Sequence, residues 1–548
     1  MKVIAVVNAD FTKGALGTRS RLGDDLAGQT VLRRTLGRVL AARRIASVHL
    51  VVDKSQEPLA RSAAEGLDVK VETHQAAPVP WQTFVACARK WSLDAWRGGL
   101  SGACAFDESL HPWLLEALAK REQADGVVDV PPAAALLDPA LLDAMVQHYE
   151  SAASDVRMTF TQSAPGLTAA IYAPSLLADL ARTGQSPGRM MAYNPAEPRR
   201  DMIMLSCFYA PATDVRRAAG RCIADTTAGL DRIAACFREC QPNGTNVTPD
   251  AAAISRWLLA RRCGHVEPLP AEVEIELTTE DSLPDTTLRP RGPAVGRRGP
   301  MDFALFERLV VELAGRDDVR IVLGGFGDPL LHPEFDRCLR RCRELNFFAL
   351  AIRTPAVTLE ARLADAIMEA KPDVLNVLID AASPATYRKL HGADHYERVL
   401  ANVDAVGQAR QQRKQPQPLV VCEMIKTPDT MDEMEPFYDH WTAKAGSAVI
   451  VGPSDYAGQF KDLSVMDMAP PTRLACERIF NRAMVLADGR VTVCDQDFRG
   501  LHAVGSLATN SLSTLWTSEA MAAVRRSHQA GTYDGMPLCS KCREWHRP

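Results

Sequence analysis

Between residues 271 and 455, short apolar runs with strand character and longer runs with helical character alternate six times, and few folds accept that pattern. Residues 273–277 read Val-Glu-Ile-Glu-Leu, an apolar–charged alternation with the period of a strand. Further strand signals lie at 320–323, 348–353, 374–380, 419–424 and 448–451. Helical segments fall between them at 304–314, 333–345, 359–370, 396–411 and 431–444. Strands joined through a helix pair in parallel, and right-handed crossovers curl such a sheet into a barrel or part of one. The expectation for 271–455 is therefore a partial (β/α)6 barrel. The first 225 residues alternate in the same way, with strands at 3–7, 48–53 and 156–161 and helices at 30–43 and 141–149. That is a second layered α/β domain. Residues 226–270, with the polar stretch Gln241-Pro-Asn-Gly-Thr-Asn, read as a helical connector. Residues 470–548 are short of regular pattern and rich in loops.

Composition narrows the function classes. Lys and Arg number 63 against 67 Asp and Glu, a net charge of −4, and aromatics are 6% of the chain. Neither suits a nucleic-acid partner, which calls for a basic face and stacking platforms. The opening apolar run is too short for a secretory core and no stretch is long enough to span a bilayer, so the expectation is a cytoplasmic protein with no membrane partner. Fourteen Cys in 548 residues is not a disulfide-scaffold density. Clustered Cys in such a chain point to metal.

Four of the cysteines cluster at the C-terminus. Cys539-Ser-Lys-Cys542 is a C-x-x-C knuckle, Cys494 follows a hairpin signalled by Asp488-Gly489, and Cys476 precedes that hairpin. Four thiolates brought together in this way suit a [4Fe–4S] cluster or a structural zinc, and spacing alone leaves both open. The remaining Cys, including the i,i+4 pairs Cys236/Cys240 and Cys338/Cys342, read as small buried packing residues.

The order Cys476, Gly489, Cys494, Cys539/Cys542 resembles the SPASM and twitch extensions of radical-SAM enzymes. No further Cys follows Cys542, so the resemblance implies one auxiliary [4Fe–4S] cluster rather than two, with those four Cys as ligands. The middle region resembles a radical-SAM core. Leu323-Gly-Gly-Phe-Gly-Asp328 is similar to the glycine-rich strand end that receives the amino group of S-adenosylmethionine, and Val377-Leu-Ile-Asp380 is similar to the fourth strand. The likeness makes Gly324, Gly325, Asp328 and Asp380 the residual cofactor-site positions. The C-x-x-x-C-x-x-C loop of that family is missing, its slots holding Asp281, Asp285 and Leu288. Carboxylates replace three thiolates poorly and leucine ligates nothing, so reductive cleavage of S-adenosylmethionine is not expected.

The N-terminal region resembles the nucleotide-diphospho-sugar transferase fold, a GT-A, Rossmann-like arrangement. The likeness rests on the first strand, the loop Gly14-Ala-Leu-Gly-Thr-Arg-Ser-Arg21, and Leu26-Ala-Gly-Gln-Thr30. A Gly-containing loop after a first strand can wrap phosphates through backbone N–H groups, and Lys13, Arg19 and Arg21 would face phosphate oxygens. Asp107, Glu108 and Asp129 are the candidate Mg²⁺ carboxylates, and Asp138 reads as a helix N-cap. Taken together, the order of domains resembles the spiro-SPASM protein family. The expected function is an iron–sulfur protein with a redox or protein partner. One alternative is a nucleotidyltransferase, or a domain binding a nucleotide or sugar-nucleotide. Another is a true radical-SAM modifying enzyme.

Overall fold

The computed structural model describes residues 1–152, 156–196, 205–240, 248–283 and 286–547. It divides into two compact units, Met1–Arg261 and Arg262–Pro548.

The first unit is built on a seven-stranded sheet. Its strands are β1 (Val3–Ala9), β4 (Ser47–Asp53), β5 (Val69–His74), β6 (Gly126–Val130), β7 (Met158–Thr161), β8 (Ala170–Tyr172) and β9 (Phe208–Tyr209). A two-residue hairpin, β2 (Asp25–Leu26) with β3 (Gln29–Thr30), stands apart from it. The order is β5-β4-β1-β6-β8-β7-β9. Strands β5, β4, β1 and β6 are mutually parallel, and β8 runs antiparallel to both β6 and β7. Strand β1 is apolar throughout because both of its faces are covered: Val3, Ala5 and Val7 enter one core while Ile4 and Val6 enter another. The chain leaves β1 toward β4 on one side and later returns to β6 on the other, which opens a crevice at the carboxyl ends of these strands. The helices Thr227–Glu239 and Ala251–Arg261, within the expected connector, pack Ile233, Phe237, Ile254 and Leu258 into this unit's core. The polar stretch 241–247 lies outside the described residues.

In the second unit β10 (Glu272–Glu276), β11 (Arg320–Gly324), β12 (Ala349–Thr354), β13 (Val374–Leu378), β14 (Leu419–Ile425) and β15 (Ala448–Val451) are parallel and adjacent in sequence order. Each expected strand of 271–455 forms within a residue or two of its sequence signal. The ring is open: the free side of β10 pairs with β16 (Arg482–Val485), followed by β17 (Arg490–Thr492) and β18 (Ala503–Ser506). Alternation on β10 divides its faces. Val273 and Ile275 enter the main core with Phe306, Ile321 and Leu323, and Glu272, Glu274 and Glu276 share the opposite face. Among the described residues no helix is long and apolar enough to cross a membrane.

Candidate functional site

The four C-terminal cysteines come from three pieces of chain. Cys476 precedes the short helix Arg478–Asn481 that leads into β16. The β16–β17 hairpin turns at Gly489, whose φ of +82° is the left-handed conformation glycine accepts without strain, and it delivers Cys494. Cys539 opens a single helical turn, and Cys542 closes it by donating its N–H to the Cys539 carbonyl. All four line one cavity together with Arg478, Gln496 and His528. Backbone N–H groups converge on the sulfurs: Glu544 donates to Cys542 Sγ at 3.3 Å, Arg478 and Ile479 to Cys476, and Gln496 to Cys494. His528 Nδ1 accepts the Cys476 N–H at 3.2 Å, so its proton is on Nε2, which is buried with no hydrogen-bond partner. Burial pushes the Cys539 thiol up to about 11 and the Cys542 thiol up to about 12, with the other sulfurs adding to the shift. The Cys494 thiol is raised further, by burial and then by Asp495. A set of thiols this reluctant to ionise becomes thiolate only with a cation to hold it.

The position of the expected radical-SAM cluster loop has different chemistry. Asp281 has no exposed side-chain surface; one oxygen pairs with Arg291 and the other accepts the Leu283 N–H at 2.7 Å. Leu288 is buried against Leu390 and Ile425. Asp285 lies outside the described residues.

The residual cofactor positions are equally engaged. Gly325 has φ +83°, and a Cβ there would stand 2.7 Å from that of Glu276. Its N–H donates to Glu274 at 2.9 Å, and the next N–H, of Phe326, to Glu276 at 3.3 Å. Gly324 is packed between Glu274 and Arg353. Asp328 is buried and accepts from Thr354 at 2.8 Å, Thr358 at 3.2 Å and the Leu330 N–H at 3.1 Å. Asp380 is buried under a bidentate pair with Arg289, at 2.8 and 3.0 Å. Of these four positions, Gly325 lines the cavity at this end of the sheet.

In the first unit a cavity of about 430 Å³ opens at the carboxyl ends of β1, β4, β5 and β6, lined by Lys13, Arg19 and Arg21 among others. Lys13 and Arg19 face each other across an antiparallel bridge closed by a Gly14–Thr18 turn. Arg19 holds Asp24 with both guanidinium arms at 2.8 and 3.1 Å, and Arg21 reaches the same carboxylate at 3.1 Å.

Two of the three candidate magnesium carboxylates are taken, and Asp129 keeps one buried oxygen without a partner among the described residues. Asp107 accepts backbone N–H groups of Gly188 at 2.7 Å and Cys104 at 2.8 Å, and burial raises its pKa to about 6. Glu108 is buried between Arg89 and Arg221, at 2.8 and 2.6 Å. Asp129 is buried, accepts the Ser109 hydroxyl at 2.8 Å, and is raised by burial to about 7. Asp138 caps its helix, accepting from the Ala140 N–H at 2.8 Å. Sequence reading missed Arg89 and Arg221, because a buried arginine has no local signature. The carboxylate–histidine group His49/Glu72/Glu122 was missed too; it is close enough to hold a cation, and Lys70 and Arg121 already neutralise it.

Residues 284–440 match the radical SAM superfamily, and residues 476–543 match the SPASM iron–sulfur cluster-binding domain. An uncharacterized protein of Treponema pallidum is 24% identical over 234 residues, which is 41% of this chain and 64% of that protein. Among solved structures, BtrN in complex with AdoMet and 2-DOIA is 19% identical, covering 50% of this chain and 93% of that one at a TM-score of 0.35. Streptococcus suis SuiB bound to the precursor peptide SuiA is 11% identical, covering 54% and 77% at 0.41. A cytidylyltransferase from Leptospira borgpetersenii is 14% identical, covering 48% and 95% at 0.33.

Proposed function

We propose that this chain is an iron–sulfur protein of radical-SAM and SPASM type that holds one auxiliary [4Fe–4S] cluster and does not cleave S-adenosylmethionine. The observation that carries the reading is the convergence of Cys476, Cys494, Cys539 and Cys542 on one cavity. The match of residues 476–543 to the SPASM iron–sulfur cluster-binding domain favours an iron–sulfur cluster over zinc. Bound there, a [4Fe–4S] cluster supplies a one-electron relay. The chain's own residues set its surroundings. Backbone N–H groups of Arg478, Ile479, Gln496 and Glu544 point at ligand sulfurs, and Arg478 stays beside the site by pairing with Asp495 at 2.8 Å. With all four ligands from protein, no iron is left open for a substrate. The role is therefore electron transfer to, or shaping a docking surface for, a protein partner. The loss of radical chemistry rests on Asp281 and Leu288 in the thiolate slots, one ion-paired and the other packed.

Iron, sulfide and zinc analysis of anaerobically purified protein tests this reading. Roughly four irons per chain with matching sulfide support it. Zinc without sulfide refutes the cluster, and roughly eight irons refute the loss of radical chemistry.

A second reading concerns the first unit. Its sheet order and the Lys13/Arg19/Arg21 rim of the 430 Å³ cavity favour binding of a nucleotide or sugar-nucleotide. Because Asp107 and Glu108 are engaged internally and Asp129 is not part of the cavity lining, this is binding without transfer. Calorimetric titration with nucleoside triphosphates and UDP-sugars checks it, and heats unchanged in Lys13→Ala refute the placement.

A further inference from the structure

The charged side chains that line the four-cysteine cavity are Arg473, Arg478 and Glu544. Two of them are balanced: Arg478 pairs with Asp495 at 2.8 Å, and Glu544 with Arg547 at 2.8 Å. Arg473 is held by neutral groups alone among the described residues. Its Nη2 donates to the Cys539 carbonyl at 2.6 Å, its guanidinium carbon stands 3.8 Å from the centre of the Tyr533 ring, and its Nε is buried without a hydrogen-bond partner. It lies on the connection between β15 and the helix Arg478–Asn481, just before Cys476. There the chain turns Leu474 out to 66% exposure and keeps Arg473 half-buried. A guanidinium stacked on a ring and hydrogen-bonded at one edge is fixed in place, unlike an ammonium on a free stem.

One positive charge at the site is therefore uncompensated. Burial raises the Cys539 thiol and lowers the His528 imidazole, and Arg473 acts on both: it favours the thiolate at Cys539 and opposes a proton on His528. Four thiolates make the loaded site anionic, and an electron added there deepens its negative charge. Net charge at a cluster is one of the quantities that set its potential. A cation fixed beside the thiolates and half out of water favours the reduced state. We infer that Arg473 is the counter-charge of the four-cysteine site and raises the reduction potential of the [4Fe–4S] group held there. The inference rests on the iron–sulfur reading above. Arg478 does not play this part, because Asp495 cancels its charge. Lys541, between Cys539 and Cys542 in sequence, is exposed, and solvent and salt screen its charge.

The test is anaerobic redox titration of the iron-loaded full chain, followed by visible and EPR spectra, with iron content measured on every sample. Arg473→Gln is expected to lower the reduction equilibrium constant roughly fivefold, about 40 mV at about 59 mV per tenfold for a one-electron couple. Arg473→Lys keeps the charge and is expected to restore most of that shift, and Lys541→Gln is expected to leave the potential at the parent value. A merely structural Arg473 would change iron content in its variants and leave the potential of the loaded fraction unmoved. Tyr533→Glu leaves Arg473 on the Cys539 carbonyl and gives it a carboxylate, so it too is expected to lower the potential, and it stands in for Arg473→Gln if that variant loads too little iron to titrate. Three results overturn the inference: a parent potential in Arg473→Gln or in the variant that stands in for it, Arg473→Lys displaced as far as Arg473→Gln, or Lys541→Gln displaced as far as either. Zinc in place of iron in the parent refutes the iron–sulfur reading itself, whereas an iron-loaded parent whose potential is indifferent to Arg473 overturns this inference alone.

Discussion

Removing Arg289 tests whether Asp380 now serves the fold. Asp380 is fully buried with φ +63° and keeps three favourable contacts: two oxygens on Arg289, at 2.8 and 3.0 Å, and the Ile425 N–H at 3.0 Å. In Arg289→Ala the Ile425 N–H remains within hydrogen-bond range and His391 Nε2 stands 3.6 Å away, but burial lowers the His391 pKa and holds that ring neutral, so the carboxylate loses its paired cation. Breaking one side of a buried pair costs about 3–5 kcal/mol, the penalty being that of the stranded charge. In Asp380→Asn the stranded group is Arg289, but Glu423 stands 3.6 Å from it and can take over. The expected loss there is about 1.5–3 kcal/mol, that of hydrogen bonds to a charged group. Arg289→Ala should therefore be the worse of the two. At about 2–4 °C per kcal/mol for a unit of this size, it lowers the melting temperature by roughly 6–20 °C. Thermal unfolding followed by fluorescence of the buried Trp441 and Trp516 reads the shift. An Arg289→Ala protein melting within a degree of the parent, or an Asp380→Asn protein melting lower than Arg289→Ala, would refute the structural assignment of this pair.

Cys494→Ser is expected to bring iron and sulfide close to zero and to remove the visible absorption, because Cys494 is one of the four thiols that line the cavity among the described residues; full retention assigns the ligands elsewhere. Asp129→Asn should change the pH dependence of stability. Burial raises the Asp129 carboxyl from 3.8 to about 7, so its contribution is complete below the unfolded value and is lost as pH rises through about 7. The variant therefore gains on the parent from pH 4 to 7, by up to about 4 kcal/mol, and levels off above; a difference flat in pH across urea melts argues against it. His528→Leu leaves the buried Cys476 N–H without the Nδ1 acceptor it has at 3.2 Å and should destabilise the second unit by about 1–3 kcal/mol. Urea melts that coincide with those of the parent exclude that role.

Much of the architecture was legible along the chain because strand and helix periodicity are local properties. Val273 and Ile275 alternate with Glu272, Glu274 and Glu276 whatever lies elsewhere, and the parallel order follows from helix-long connections. The C-x-x-C knuckle and the Asp-Gly hairpin likewise signal the thiol site within a few residues. The absence of thiols from the cluster loop needs no structure either. By itself, then, the sequence determined two α/β regions, a thiol-rich end and an empty cluster motif. Which carboxylate meets which arginine was decided only by the tertiary structure. Pairs such as Arg289 with Asp380, Arg298 with Glu276 and Arg221 with Glu108 join residues far apart in sequence. No periodicity records them; each exists because the fold removes both groups from water, where an unpaired charge is too costly to keep. The same burial turned Asp328, Asp380, Asp107 and Glu108 from candidate ligands into internally satisfied groups.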